Sequence, residues 1–155
     1  MKALKSYYYV PAALILLLTV TCSFKVKLVG QYDSIVDESV HQIEAATTAH
    51  IENILSNKGE NAGAYDSTKV FYSEIRGQIK ALITRAEVLE EGLTFTPLTD
   101  NFKNLQKQYD DFELLHKIQF NKFVIEKAQE ALDQSFRAIV KHLIYLKWNQ
   151  EPPKS

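Results

Sequence analysis

Cysteine is nearly missing from this chain of 155 residues: Cys22 is the single one. With no cysteine after position 22, an intramolecular disulfide framework and a thiolate metal cluster are both excluded from the rest of the chain. Breakers are scarce too, with 5 glycines and 4 prolines. Pro11 lies near the N-terminus and Pro152 and Pro153 in the tail, so Pro97 is the one proline in the central region. There is no Gly-x-Ser-x-Gly elbow, no glycine-rich phosphate loop, no internal repeat and no low-complexity segment. A strong basic excess is absent as well. Leaving out Lys2 and Lys5 of the leader, 16 basic residues face 19 acidic ones, a net charge of −3. A nucleic-acid partner is excluded on that ground, since such proteins carry a basic face.

What the sequence does have begins with a leader. Lys2 and Lys5 precede an uncharged run from Tyr7 to Phe24 centred on Leu14, Ile15, Leu16, Leu17 and Leu18. A basic head and roughly 7–15 apolar residues are the parts of an export signal. Thr19-Val20-Thr21-Cys22 resembles a bacterial lipoprotein signal in which the cysteine receives lipid. It departs from the usual pattern at Thr21, where Gly or Ala stands, and at Thr19, where Leu stands. Two other readings stay open. An uncleaved anchor needs roughly 18–20 apolar residues, which Tyr7 to Phe24 just supplies. Ordinary cleavage near Cys22 is the third. All three put the remaining chain outside the cytoplasm, facing the periplasm of a bacterial envelope. Lys25 and Lys27 balance Lys2 and Lys5, so charge does not orient an anchor. Ser23 differs from the Asp of an inner-membrane retention signal.

The expected organisation is a signal or anchor at 1–21, a membrane-proximal linker at 22–31, a helical bundle at 32–149 and a tail at 150–155. Asp33 or Ser34 caps a first helix, whose Val36, Val40, Ile43, Thr47, Ile51 and Ile54 recur every three or four residues. Lys58-Gly59 stops it. A second helix starts near Asp66 or Ser67 and buries Phe71, Ile75, Ile79, Leu82, Ala86 and Leu89, with Gly77 open to a close-packed neighbour and Gly92 as a left-handed stop. Thr96 caps a third helix with Pro97 in its first position, and Phe102, Leu105, Tyr109, Phe112 and His116 follow. The fourth stripe is Val124, Ala128, Ala131, Ser135, Ile139, Leu143 and Leu146, on a helix about 40 Å long. The apolar phase shifts between Ile118 and Asn121, which predicts a break there; one continuous helix from Pro97 to Trp148 is the alternative. Four helices with short connections predict an all-α, up-down-up-down four-helix bundle.

Glu38-x-x-His41 and Glu113-x-x-His116 have the form of di-iron ligand pairs, with Glu74, Glu87, Glu126 or Glu130 as conceivable bridges. In this topology they lie at opposite ends, more than ~15 Å apart at about 1.5 Å per residue, against the ~4 Å of a dinuclear centre. The expected reading is therefore surface pairing of Glu with His at i and i+3, His116 as an edge histidine, and no metal or other cofactor. His50 and His142 have no matched partners in sequence. Arg85 with Glu87, Glu90 and Glu91, and Lys107 with Asp110, Asp111 and Glu113, read as solvated charged turns.

Topology also places Leu93, Phe95, Leu143, Ile144, Tyr145, Leu146 and Trp148, with Lys141, Lys147 and Lys154, at the end where the leader joins. Phe95, Tyr145, Lys147 and Trp148 are the candidate contacts with a membrane or an envelope protein partner, because Tyr and Trp suit the bilayer–water boundary. The competing expectation is that Phe95 and Trp148 close the base of the core.

Arg85-Ala86-Glu87-Val88-Leu89-Glu90-Glu91-Gly92, Pro97-Leu98-Thr99-Asp100-Asn101-Phe102 and the Asp133 to Trp148 stretch resemble a poorly characterised family of small exported helical proteins of Gram-negative bacteria, several with a lipoprotein-type signal. The resemblance implies fold and compartment and supplies no active-site residue. The expected function is a non-enzymatic adaptor or accessory binding module, lipidated at Cys22. An envelope hydrolase or metal-dependent enzyme with an unrecognised site is one alternative, and a self-associating membrane-anchored structural protein is another.

Overall fold

Asp33 starts the first helix by satisfying amides that have no partner inside it. Its backbone is extended and its carboxylate accepts from the N–H of Ile35 at 2.8 Å and of Val36 at 3.3 Å. The computed structural model describes residues 30–57, 64–118 and 121–150. Among them lie four helices and no strand: α1 (Ser34–Ser56), α2 (Tyr65–Leu89), α3 (Pro97–Ile118) and α4 (Lys122–Gln150). Leader, Cys22, Lys58-Gly59 and tail fall outside the described residues.

The helices form a four-sided bundle in which chain neighbours pack together and α4 closes back onto α1. The directions alternate. Arg85 near the end of α2 pairs with Asp33 at the start of α1. Along α2 and α3, Tyr72 meets His116, Arg76 meets Asp110, and Glu87 meets Lys103. The α1 and α3 helices run the same way across the diagonal, where the hydroxyls of Thr47 and Tyr109 bond inside the core. The all-α, up-down-up-down bundle is the observed architecture. Asn121 accepts the Phe123 N–H at 2.9 Å and so caps α4, which separates α3 from α4 and overturns the single long helix.

Every expected apolar stripe residue of α1 and α3 is buried. In α2 the stripe is displaced at its start: Thr68 and Tyr72 are buried, while Phe71 and Leu89 are half-buried. In the first half of α4 the expectation is off by one position. Ile125, Leu132 and Phe136 are buried, whereas Val124, Ala128, Ala131 and Ser135 are half-exposed. The small residues Ala131, Ser135 and Ala138 line the groove against α3 instead. The large side chains take the bundle centre because filling it removes more apolar surface from water.

The turn from α2 to α3 departs furthest from expectation. Glu90, read as part of a solvated turn, is only 2 % exposed. Its carboxylate accepts from the N–H of Leu98 at 2.8 Å and of Thr99 at 2.9 Å. These first-turn amides carry the positive end of the α3 dipole, which favours an anion. Thr96 accepts the Asp100 N–H through its carbonyl, and the carboxylate of Glu90 holds the amides that the Thr96 side chain was expected to take. Gly92 then adopts φ +78, a conformation that side chains with a Cβ resist. Gly77 does not accommodate a neighbour: nothing lies within 4 Å of where its Cβ would be.

These features separate three substitutions. Gly77→Ala is expected to stabilise by about 0.5–1 kcal/mol by restoring helix propensity. Gly92→Ala is expected to destabilise by about 1–2 kcal/mol, the cost of a left-handed Cβ. Glu90→Ala leaves two amides without their acceptor and is expected to cost about 2–4 kcal/mol. Urea midpoints at neutral pH rank the three.

Candidate functional site

The two ends of the bundle differ in chemistry. One end, the base, gathers the start of α1, the α2–α3 turn and the end of α4. A Cβ built on Gly30 would lie 3.5 Å from Cγ of Glu90 and 3.9 Å from Cδ1 of Leu93, so the polypeptide joins the bundle beside that turn. Asp33 is tied there to Arg85 through a 2.7 Å contact. Burial acts to raise the Asp33 carboxyl, but the Arg85 bond and the two amides outweigh it and hold it below its ordinary value. Lys147 lies 5.5 Å from the ring centre of Tyr32, whose hydroxyl donates to Asp37 at 2.8 Å.

Phe95 is 71 % exposed and Trp148 is 73 % exposed. Neither closes the core; Leu143 and Leu146 do that from the same turns of α4. Tyr145, one helical turn before Trp148, is exposed on the same face. Lys147 is turned toward α1 and stands apart from that face. Ile144 lines a side groove with His41, Glu44 and Arg137 and also stands away from it. Of the four expected contact residues, the structure therefore brings Tyr145 and Trp148 onto one face of α4 and places Phe95 in the turn at the same end. Cys22 and Lys154 lie outside the described residues.

The opposite end holds a buried aromatic–histidine cluster that the sequence reading divided among separate helices. His50 stacks on Phe71 with ring centres 3.7 Å apart, and meets Tyr72 edge-on at 5.2 Å and His116 at 6.2 Å. His116, 3 % exposed, is inside the core rather than at its edge, and its Nδ1 bonds the Tyr72 hydroxyl at 2.8 Å. Nε2 of His50 is buried with no hydrogen-bond partner among the described residues. Burial first, and the neighbouring His116 second, push the His50 imidazole down to about 4. Burial also raises the Tyr72 and Tyr109 phenols far above their usual range. His50, Tyr72 and Tyr109 are thus held in their neutral forms at ordinary pH. A signal for His50 was present in the sequence, since it falls three residues after Thr47 on the α1 stripe.

Outside this layer, Arg76 is gripped by Asp110 at 3.0 Å and by Glu113, which also accepts from the Tyr65 hydroxyl at 2.8 Å. Asp110 and Glu113 are therefore partners across the α2–α3 seam, not a local turn with Lys107. The Glu-x-x-His pairs do not pair internally. His41 lies 3.6 Å from Asp37 and 3.5 Å from Glu44, and Glu38 accepts from Gln42. Glu113 faces Arg76 while His116 faces the core. Among the described residues, no group of three or more His, Cys, Asp or Glu is placed to hold a metal ion. No described helix is long and apolar enough to cross a membrane. A groove of about 880 Å³ opens between α1 and α2, but its charged lining groups, Asp33 and Arg85, are paired with each other.

No family model, curated protein or solved structure matches the chain. The functional reading rests on the geometry of the two ends and on the leader.

The buried imidazole gives a pH dependence with a definite sign. Below the unfolded value of about 6.5, the unfolded chain binds a proton at His50 that the folded chain refuses until about 4. Stability is expected to fall across that window as the pH drops, by about 3 kcal/mol in total at about 1.4 kcal/mol per pH unit. Urea titrations of the parent and of His50→Leu at several pH values check it: the substituted chain should show a flatter slope between pH ~4 and ~6.5.

Proposed function

We propose that this chain is a membrane-tethered protein of the bacterial cell envelope, with lipid on Cys22 and a non-enzymatic helical bundle facing the periplasm as an adaptor or accessory binding module. The observation that carries the reading is where the chain enters the bundle at Gly30. Gly30 sits against Glu90 and Leu93 at the base, the end that exposes Phe95, Tyr145 and Trp148. It lies only eight steps along the chain from Cys22. An extended chain of that length reaches at most about 28 Å, so a lipid on Cys22 keeps the base close to the bilayer. The basic head and apolar run of the leader support the same location, as does the resemblance to small exported helical proteins.

An adaptor needs a free face away from its tether. At the far end Ile118 and Phe123 are 67 % and 64 % exposed on either side of the α3–α4 turn, with Val70 and Leu114 also exposed. Exposed apolar surface of this kind is available for contact with another protein. Tyr72, His116 and Arg76, the polar groups at that end that most resemble catalytic ones, are engaged with partners inside the fold.

Metabolic labelling with a radioactive fatty acid, followed by membrane fractionation, tests the tether. The full chain should carry label and sediment with membranes, and Cys22→Ser should lose both. An unlabelled parent that still sediments would point to an uncleaved anchor. A full-length parent dissolved in the cytosol, leader intact, would overturn the location. Stoichiometric zinc or iron in the purified chain would return the metal-enzyme alternative.

A further inference from the structure

We infer that the base of the bundle docks directly on the lipid bilayer, with Trp148, Tyr145 and Phe95 seated at the headgroup boundary, so that the tethered bundle stands on the membrane rather than trailing from it. The inference rests on the tethered reading above and adds a surface and its occupant. Among the described residues, Trp148 and Phe95 are the two most exposed large apolar side chains, and both lie at the end that receives the leader. Tyr145 continues the exposed face of α4 one turn above Trp148. A tryptophan and a tyrosine on one face suit the boundary because each buries a ring while keeping a polar atom wet.

The length of chain outside the described fold selects the bilayer as the occupant. From Cys22 to Gly30 the reach is at most about 28 Å, less than the ~40 Å length of α4. The far end of an upright bundle cannot meet the membrane on this tether, whereas the base cannot move far from it. A protein occupant would have to fit within the at most about 28 Å that the tether allows between base and headgroups.

Three carboxylates of the base are neutralised or enclosed, while Glu91 and Asp100 are exposed there. Asp33 is neutralised by Arg85, Glu87 by Lys103 at 3.0 Å, and Glu90 is buried against the α3 amides. Lys147 is exposed at the same end, on the Tyr32 side of α4, and Lys141 is exposed one turn before Tyr145. Basic side chains beside aromatic anchors are attracted to anionic headgroups within a Debye length, about 8–10 Å.

The chain carries its own reporter, because Trp148 is its single tryptophan. The test reconstitutes the full-length lipidated protein into vesicles of phosphatidylethanolamine and phosphatidylglycerol and follows Trp148 emission. The expected result is a blue-shifted emission, a loss of most intensity when acyl-brominated lipid replaces part of the bilayer, and little quenching by aqueous iodide. Phe95→Ser, at an exposed position that spares the core, should weaken the lipid quenching while circular dichroism stays unchanged. Emission that remains water-like and fully quenched by iodide, from protein that co-floats with the vesicles, overturns the docking and leaves the tether intact. A blue shift without lipid quenching means that protein covers Trp148, and likewise overturns it. Failure to co-float overturns the tether itself.

Discussion

A buried carboxylate at the α2–α3 turn organises the base of this bundle. Glu90 ends α2 and begins α3 in one interaction, since its two oxygens take the first free amides of the next helix. A charge in so enclosed a position is tolerable only because those donors and the helix dipole replace the water it has lost. Other parts are arranged around it. Gly30 passes against its side chain, and the half-buried His142 of α4 lies within its field. Burial lowers the His142 imidazole and Glu90 opposes that shift. All four helices are thereby referenced to one turn at one end.

The rest of the fold follows more ordinary rules. Helices α1 and α3 were legible almost residue by residue, because their large apolar side chains repeat at three and four and nothing competes with them. The break at Asn121 was legible for the same reason, as a change of phase confirmed by the cap that Asn121 supplies. The first half of α4 misled because alanine and serine recur with a helical period of their own. That period marks the close approach to α3, and Ile125, Leu132 and Phe136, adjacent to it, mark the centre. Glu90 was illegible: a carboxylate in an acidic run reads as solvated, and nothing local announces that two amides eight and nine residues later will enclose it. The pairing of Arg76 with Asp110 and Glu113 was hidden in the same way, since it joins side chains far apart in sequence.

The two ends carry different kinds of information. The far end turns His50, Tyr72 and His116 inward, where they pack among aromatic rings. The base does the reverse with its aromatics. Phe95 and Trp148 face outward although Leu143 and Leu146 beside them are fully covered. A core short of volume would have drawn the larger rings in. Their exposure in a well-filled bundle is what gives the candidate surface at the base its weight. Its members were named from topology alone, yet their exposure could only be read once the neighbouring leucines were seen to close the core.

The short span between Glu90 and the amides it holds also bears on how the molecule is assembled. Joining residues so close in the chain forfeits little conformational entropy, so the α2–α3 hairpin is a locally specified unit with low contact order. A polypeptide that leaves the ribosome N-terminus first would complete this hairpin while the 29 residues of α4 were still being made. The final helix then slots into a three-sided trough already lined with isoleucine and phenylalanine, and its last turns complete the end that holds Glu90.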